Sequence, residues 1–187
     1  MTIDDFRRAL RERTDDLRRA YADRWPRMMR AEAVSHFREG FHEGGFTDTG
    51  LERWDATRRQ SVPFNGAAGR YTPLNSRTGD LLHSIDGRIE PGAVVMFSGS
   101  DHARYHNEGA TATVTPRMRR YFWAMHAEAK RRYGKDNPEA LFWRGMATTK
   151  KSSLKIPKRK FMGRSAALAT RISRMIEDDL RRILTTI

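Results

Sequence analysis

At 187 residues the chain has room for one domain with its own core and too little for two. A hydrophobic fraction of 38%, with four Trp, five Tyr and nine Phe, excludes a disordered composition, and the absence of cysteine excludes disulfides, thiolate catalysis and cysteine-based zinc sites. Lys and Arg number 36 against 23 Asp and Glu, a formal charge of +13 that favours nucleic acid, phosphate or an acidic protein surface without choosing among them; arginines in such number also suit protein interfaces.

The opening MTIDDFRRAL is charged from its fourth residue and does not read as a secretion signal, and no apolar run along the chain reaches the length of a membrane span. Thr2 is placed to cap a first helix, with Asp4 and Asp5 in its first turn. Its stripe is Ile3, Phe6, Leu10, Leu17 and Tyr21, interrupted by Arg13. A second helix is predicted from Trp25-Pro26, since proline suits a first turn. Met29, Ala33, Phe37 and Phe41 recur every four residues along it, Val34 lies beside them, Gly40 weakens the last turn and Gly44-Gly45 ends it.

Residues 44–79 have no clear period, yet they hold Trp54, Phe64 and Tyr71, which predicts an ordered arm or packed loop. Within 77–85 a short helix capped by Thr78 is predicted to turn Leu81, Leu82 and Ile85 inward. SIDGRIE and AVVMFSG, separated by Pro91-Gly92, read as a β-hairpin, and ATATVTP as a third strand ended by Pro116. Residues 118–134 return to helix, with Met118, Phe122, Met125 and Ala129 on one stripe, Tyr121 beside it and Gly134 as C-cap. Trp123 faces either a second helix or another subunit, with core packing the favoured reading. Another turn or two over 138–146, a short strand over 154–156 and a last helix over 165–184, burying Leu168, Ile172, Ile176, Leu180 and Ile183, complete the chain. The predicted class is α+β: a small antiparallel β-sheet packed against long N- and C-terminal helices, as one domain over 1–187 with an arm or long loop at 44–79 and a helical insertion at 117–155.

SDHARYHNEGATATVTP, residues 100–116, carries the most chemistry-bearing side chains. On a helix His102 and His106 share a face and, with Asp101 or Glu108, have the makings of a zinc site. Between two predicted strands they are extended instead, about 13 Å apart at about 3.3 Å per residue, too far for one metal. The expected role is structural: Ala103 and Tyr105 pack, His106 or Asn107 bonds a turn backbone, and Gly109 takes positive φ. Ser98 and Ser100 would need hydrogen-bond reach of a histidine for hydrolase chemistry, and no nucleophile elbow, phosphate-cradling glycine loop or spaced carboxylate cluster accompanies them. No enzyme and no cofactor are expected.

The densest basic tract is KKSSLKIPKRKFMGR, residues 150–164. Lys150, Lys151, Lys155, Lys158, Arg159, Lys160 and Arg164 offer phosphate contacts, without zinc-finger spacing, a heptad zipper or an aromatic RNA-binding pair beside them. Ile156, Pro157, Phe161 and Met162 interleave with the charge, a pattern that also suits an assembly surface with apolar anchors and a charged rim. Trp54, Trp123, Lys155, Lys158, Lys160 and Arg164 are the candidate interface or phosphate contacts.

Three elements occur in a fixed order. The first is Thr78-Gly79-Asp80-Leu81-Leu82-His83-Ser84-Ile85, the second His102-Ala103-Arg104-Tyr105-His106-Asn107-Glu108-Gly109, the third Ile156-Pro157-Lys158-Arg159-Lys160-Phe161-Met162-Gly163. A hairpin separates the first two and a final amphipathic helix follows the third. This order resembles the phage virion morphogenesis proteins, the tail-completion family related to minor tail and head–tail joining proteins. The resemblance covers residues 1–45 loosely and 73–184 better. It departs at His102, where the family carries tyrosine, and at 117–155, which reads as a long insertion.

The resemblance implies a non-enzymatic virion component at the head-proximal end of the tail. Such a protein completes or stabilises the tail and helps it join the head, in the virion and, during assembly, in the bacterial cytoplasm. It implies self-association as a ring, tail-tube or head–tail connector proteins as partners, weak non-specific contact with DNA, and no membrane. Thr78, Gly79, Leu81, Ser84, Ile85, Tyr105, His106, Asn107, Gly109, Ile156, Pro157, Arg159, Phe161 and Gly163 are expected to carry the fold more than any chemistry. The alternative, resting on the charge and the 150–164 tract, is a basic nucleic-acid-binding or DNA-packaging accessory protein.

Overall fold

The computed structural model describes residues 2–57, 60 and 71–185; Phe64 and the middle of the predicted 44–79 arm lie outside the described residues. Thr2 opens the chain with a capping box: its Oγ1 accepts from the Asp5 amide at 3.1 Å, and the Asp5 carboxylate accepts from the Thr2 amide at 3.0 Å. Helix α1 (Ile3–Arg19) then runs through a π-helical turn, Ala20–Arg24, into α2 (Trp25–Glu43), with Pro26 in the first turn of α2. Gly44 ends α2 in the left-handed conformation at φ +71°.

A hairpin follows at once, β1 (Gly45–Thr47) with β2 (Leu51–Arg53), in a stretch where the sequence showed no period. Gly40 acquires its reason here. A Cβ at this position would lie 2.5 Å from the Gly45 carbonyl oxygen, so only glycine lets the end of α2 touch the hairpin backbone. The hairpin turn also holds the start of the last helix. Asp48 Oδ1 accepts from the Ala166 amide at 2.8 Å, and Ser165 Oγ donates to the Thr47 carbonyl at 2.8 Å.

The chain continues through α3 (Asp80–His83), β3 (Ile85–Glu90), β4 (Ala93–Ser98), α4 (Ala103–Glu108), β5 (Ala110–Thr113), α5 (Pro116–Tyr133), α6 (Pro138–Ala147), β6 (Ser153–Ile156) and α7 (Ala166–Thr185). The α+β class is as predicted, with small antiparallel ladders flanked by longer helices and a helical insertion. The single sheet divides into separate pairs, β1–β2, β3–β4 and β5–β6. The third strand does not extend the β3–β4 hairpin; Ala110 to Thr113 pairs with Ile156 to Ser153.

One core gathers Ala33, Phe37 and Phe41 of α2, Phe46 of β1, Leu81 of α3, Ile85 of β3, Phe161 and Leu168. Its aromatics meet edge-on or stacked, Phe41 against Phe161 at 5.5 Å and against Trp54 at 5.3 Å, Phe37 against Phe46 at 6.5 Å. Losing one buried phenylalanine from such a core costs about 3–5 kcal/mol. Asp179 of α7 ties the long helices together. Its side chain is 1% exposed, its carboxylate accepts from Arg24 Nε at 2.9 Å and Trp25 Nε1 at 2.8 Å, and Arg182 bonds the other oxygen. Burial pushes the Asp179 carboxyl up, but the bonds from Arg182, Trp25 and Arg24 outweigh it and hold the group below its ordinary pKa.

The predicted stripe of α1 forms and stays uncovered. Ile3, Phe6 and Leu10 are 72%, 53% and 56% exposed, because only the later part of α1 reaches α7. Helices α5 and α6 pack chiefly on each other, around Phe122, Ala129, Ala140 and Ala147, and join the rest through the β5–β6 ribbon. The predicted insertion is therefore an arm, a helical hairpin carried on two strands.

Candidate functional site

The second and third ordered elements, far apart in sequence, meet at the root of this arm, and the first joins them through the core, where Leu81 and Ile85 cluster with Phe161 and Ala103. Residues 102–109 are not extended. They form α4, with His102 at its N-cap and Gly109 ending it at φ +79°. Asn107 is the hub of the junction: its Oδ1 accepts from the Phe161 amide at 2.9 Å and from the Met162 amide at 3.1 Å. The His106 carbonyl accepts from the Arg159 amide at 2.7 Å. Gly109 is demanded twice, by its positive φ and by space, since a Cβ would lie 3.0 Å from the Lys158 nitrogen. Together these bonds fix the turn over 157–163, with Ile156 and Pro157 half-buried as it leaves β6, and drive Phe161 into the core at 2% exposure.

Arg159 is buried, unlike the rest of the basic tract. Its Nε and Nη2 donate to the Asp55 carbonyl at 3.2 and 2.9 Å, and burial lowers its pKa against the opposing pull of Asp55. Trp54, a candidate for an interface, is instead turned inward, donating from Nε1 to the Lys160 carbonyl at 2.7 Å. Lys160 lies 3.9 Å over the Phe46 ring and donates to the Arg164 carbonyl at 3.1 Å. So Arg159, Lys160 and Trp54 clamp the turn, while Lys155, Lys158 and Arg164 face solvent.

Several predicted roles change. Gly79, not Thr78, is the N-cap of α3, at φ +66°, and the Ser76 hydroxyl accepts from its amide at 3.1 Å. Leu81 and Ile85 are buried as expected, and Ser84 Oγ bonds Ser98 Oγ at 2.6 Å across the start of the β3–β4 ladder. Tyr105 is exposed rather than packed, because α4 turns it away from the core while Ala103 packs on it. Trp123 is 46% exposed, edge-on to His126, since the buried stripe of α5 runs through Phe122 and Ala129. Gly163 has φ +149°, and a Cβ there would meet the end of the Lys160 side chain at 2.8 Å.

The histidines of α4 sit at helical spacing, but among the described residues no three His, Asp or Glu side chains gather as a metal site. His106 Nδ1 is buried without a hydrogen-bond partner. Burial first, then the Arg159 and His102 charges, holds its pKa below the ordinary value, so the ring stays neutral against the junction. Ser98 Oγ is engaged by Ser84 and by the Ser100 amide, not by a histidine ring.

Two surfaces stand out beyond the junction. One is the bare α1 stripe, which runs down to an apolar groove of about 670 Å³ lined by Tyr21, Trp25, Met29, Ile89, Val94 and Ile176. The other is the arm, where residues 117–155 hold eleven Lys and Arg against three Asp and Glu. Sequence reading missed the β1–β2 hairpin and with it the place of Phe46 in the core; Asp48-Thr49-Gly50 between two short apolar-bearing runs was the available turn signal. Among the described residues no helix is long and apolar enough to cross a membrane. No protein-family model, curated protein or solved structure matches this chain.

Proposed function

We propose that the chain is a structural virion protein of a tailed phage or prophage, completing or stabilising the head-proximal end of the tail and helping head–tail joining, with no enzymatic role. What carries this reading is the bare apolar stripe of α1, supported by the order of elements resembling the tail-completion family. Ile3, Phe6, Leu10 and Tyr21 form an amphipathic ridge that a lone chain leaves in water, at the head of an apolar groove. Ridge and groove differ in shape, so a contact in which one copy's ridge enters the next copy's groove is head-to-tail, the kind that closes into rings. Its partners are then further copies of itself and the tail-tube or head–tail connector proteins on either side. The second reading, a nucleic-acid-binding or DNA-packaging accessory protein, draws on the basic arm.

Electron microscopy of particles from a lysogen lacking the gene tests the first reading. Filled heads beside detached, frayed or overlong tails are expected, restored by the wild-type chain and not by a folded Phe6→Ser, Leu10→Ser chain. Intact infectious particles would overturn it, and empty heads with normal tails would favour the packaging reading.

A further inference from the structure

The net charge of +13 is not spread evenly. The 39 residues of 117–155 carry +8 of it, and the structure gathers them into one arm standing off the body on the β5–β6 ribbon. Few of these cations are occupied. Arg132 pairs with Glu128 at 2.7 Å, and Arg119 donates to the Ala147 and Thr149 carbonyls at 3.1 and 2.7 Å. Arg117, Arg120, Lys130, Arg131, Lys135, Arg144, Lys150 and Lys151 are exposed, and no ion pair engages them among the described residues.

Helical geometry orders the most prominent of them. At about 100° per residue, Arg117, Arg120 and Arg131 fall within a sector of about 60° on the outer side of α5, opposite Phe122 and Ala129. Ala124 lies inside the same sector, Ala127 and Glu128 lie about 20° outside its two edges with Glu128 paired to Arg132, Trp123 and Lys130 flank the Ala127 side, and the exposed Tyr121 flanks the other. At about 1.5 Å per residue, Arg117 and Arg131 are about 21 Å apart along the axis. That spans about six base pairs of duplex at 3.4 Å each.

We infer that the outer face of α5 is a duplex DNA contact, with Arg117, Arg120, Lys130 and Arg131 on backbone phosphates. The charge pattern favours DNA over an acidic protein. A protein interface gathers apolar residues at its centre with charge on the rim. Here cations extend from the ribbon through the helix start to the far end, around Ala124 and Ala127 with Glu128 offset by its pair Arg132, which matches a partner whose charge repeats along its length. Contacts of this kind, cations on phosphates, fix position without carrying sequence information, so the recognition proposed is of the backbone and independent of sequence. The 150–164 tract is a poorer candidate than its composition implied, because Arg159 and Lys160 are committed to the core turn. This inference does not rest on a place at the tail end; a failure here leaves the particle phenotype as its own test.

Fluorescence anisotropy of the full chain with a labelled 30-base-pair duplex, from about 50 to 200 mM salt, tests it. Binding is expected to weaken steeply with salt and to be the same for scrambled sequences. Arg117→Ala, Arg120→Ala, Arg131→Ala is expected to lose about tenfold or more in affinity and to lower the salt slope by about three. The matching three Arg→Lys changes, which keep charge and guard against misfolding, are expected to stay within about threefold of wild type. Lys158→Ala, Arg164→Ala, off the arm, is expected to change affinity little. No binding at low salt, or a larger loss from the Lys158 and Arg164 pair than from the α5 triple, would overturn the inference. Competition by poly-glutamate as effective as that by duplex at equal charge would also overturn it, in favour of an acidic protein partner.

Discussion

Replacing Asn107 by alanine removes one oxygen that serves two backbone amides, those of Phe161 and Met162 at 2.9 and 3.1 Å. Each amide is partly buried, and a buried donor left without its acceptor costs about 1–3 kcal/mol. With each in the lower half of that range, about 1–2 kcal/mol, Asn107→Ala is expected to destabilise the chain by about 2–4 kcal/mol. In a domain of this size that is a melting-point loss of about 5–15 °C. Asn107→Asp keeps the acceptor and is expected to stay within about 1 kcal/mol of wild type. Urea unfolding followed by tryptophan fluorescence measures both, since Trp54 sits against Phe41 and bonds the Lys160 carbonyl in the same turn. Phe161→Ala, at about 3–5 kcal/mol, calibrates the scale. An Asn107→Ala midpoint indistinguishable from wild type would mean that Phe161 burial alone docks the turn. An aspartate as damaging as alanine would mean that the acceptor oxygen is not what Asn107 supplies.

Three further outcomes follow from the same contacts. Gly109→Ala forces a side chain into positive φ and to 3.0 Å from the Lys158 nitrogen, and is expected to cost about 1–3 kcal/mol by thermal unfolding. His106 has a folded pKa below its unfolded value, so its contribution is complete above about pH 6.5 and is lost as pH falls through the folded pKa. Urea midpoints are thus expected to drop as pH falls below about 6.5, and His106→Gln to flatten that limb. Asp179 is also depressed, so its contribution is present above about pH 4 and lost as pH falls below it. Asp179→Asn is expected to cost about 1–3 kcal/mol at pH 7, less than a fully buried pair because the Arg24 side chain is only half-buried and Arg182 is exposed, and to reduce the acid limb seen by circular dichroism.

The helices were legible because each repeats an apolar spacing over many residues: Ala33, Phe37 and Phe41 in α2, Leu168 and Ile183 in α7. The β3–β4 hairpin was legible from Pro91-Gly92. What the stripe of α1 did not disclose is that its first half stays exposed among the described residues, since periodicity reports a face and not its partner. The β1–β2 hairpin was hidden by its length, three residues a side, too short to establish a period of two. Helix α4 was masked by neighbouring strands, and its six residues are held by long-range bonds from Asn107 and His106 that no local pattern encodes. The candidate site followed the same rule. Asn107, Gly109 and Phe161 were visible as residue types suited to turns and core, while Asp55 bonds Arg159 through its carbonyl, which any residue type supplies. The basic tract misled because a lysine or arginine in a list of letters does not say whether its stem lies over a phenylalanine ring or in water.

The π-helical turn at Ala20–Arg24 sets the angular phase between the two halves of the long N-terminal rod. Such a turn accommodates one residue more than an α-helix would. Because the wider turn absorbs the extra residue, deleting one there would let the rod close into continuous α-helix with the Ile3, Phe6 and Leu10 ridge near its present bearing, whereas deleting one from α1 would swing the ridge by about 100° around the axis. The turn acts as a slack link: it takes up the odd residue and so preserves the compass bearing at which the ridge leaves the body, and hence the direction from which a neighbour must approach.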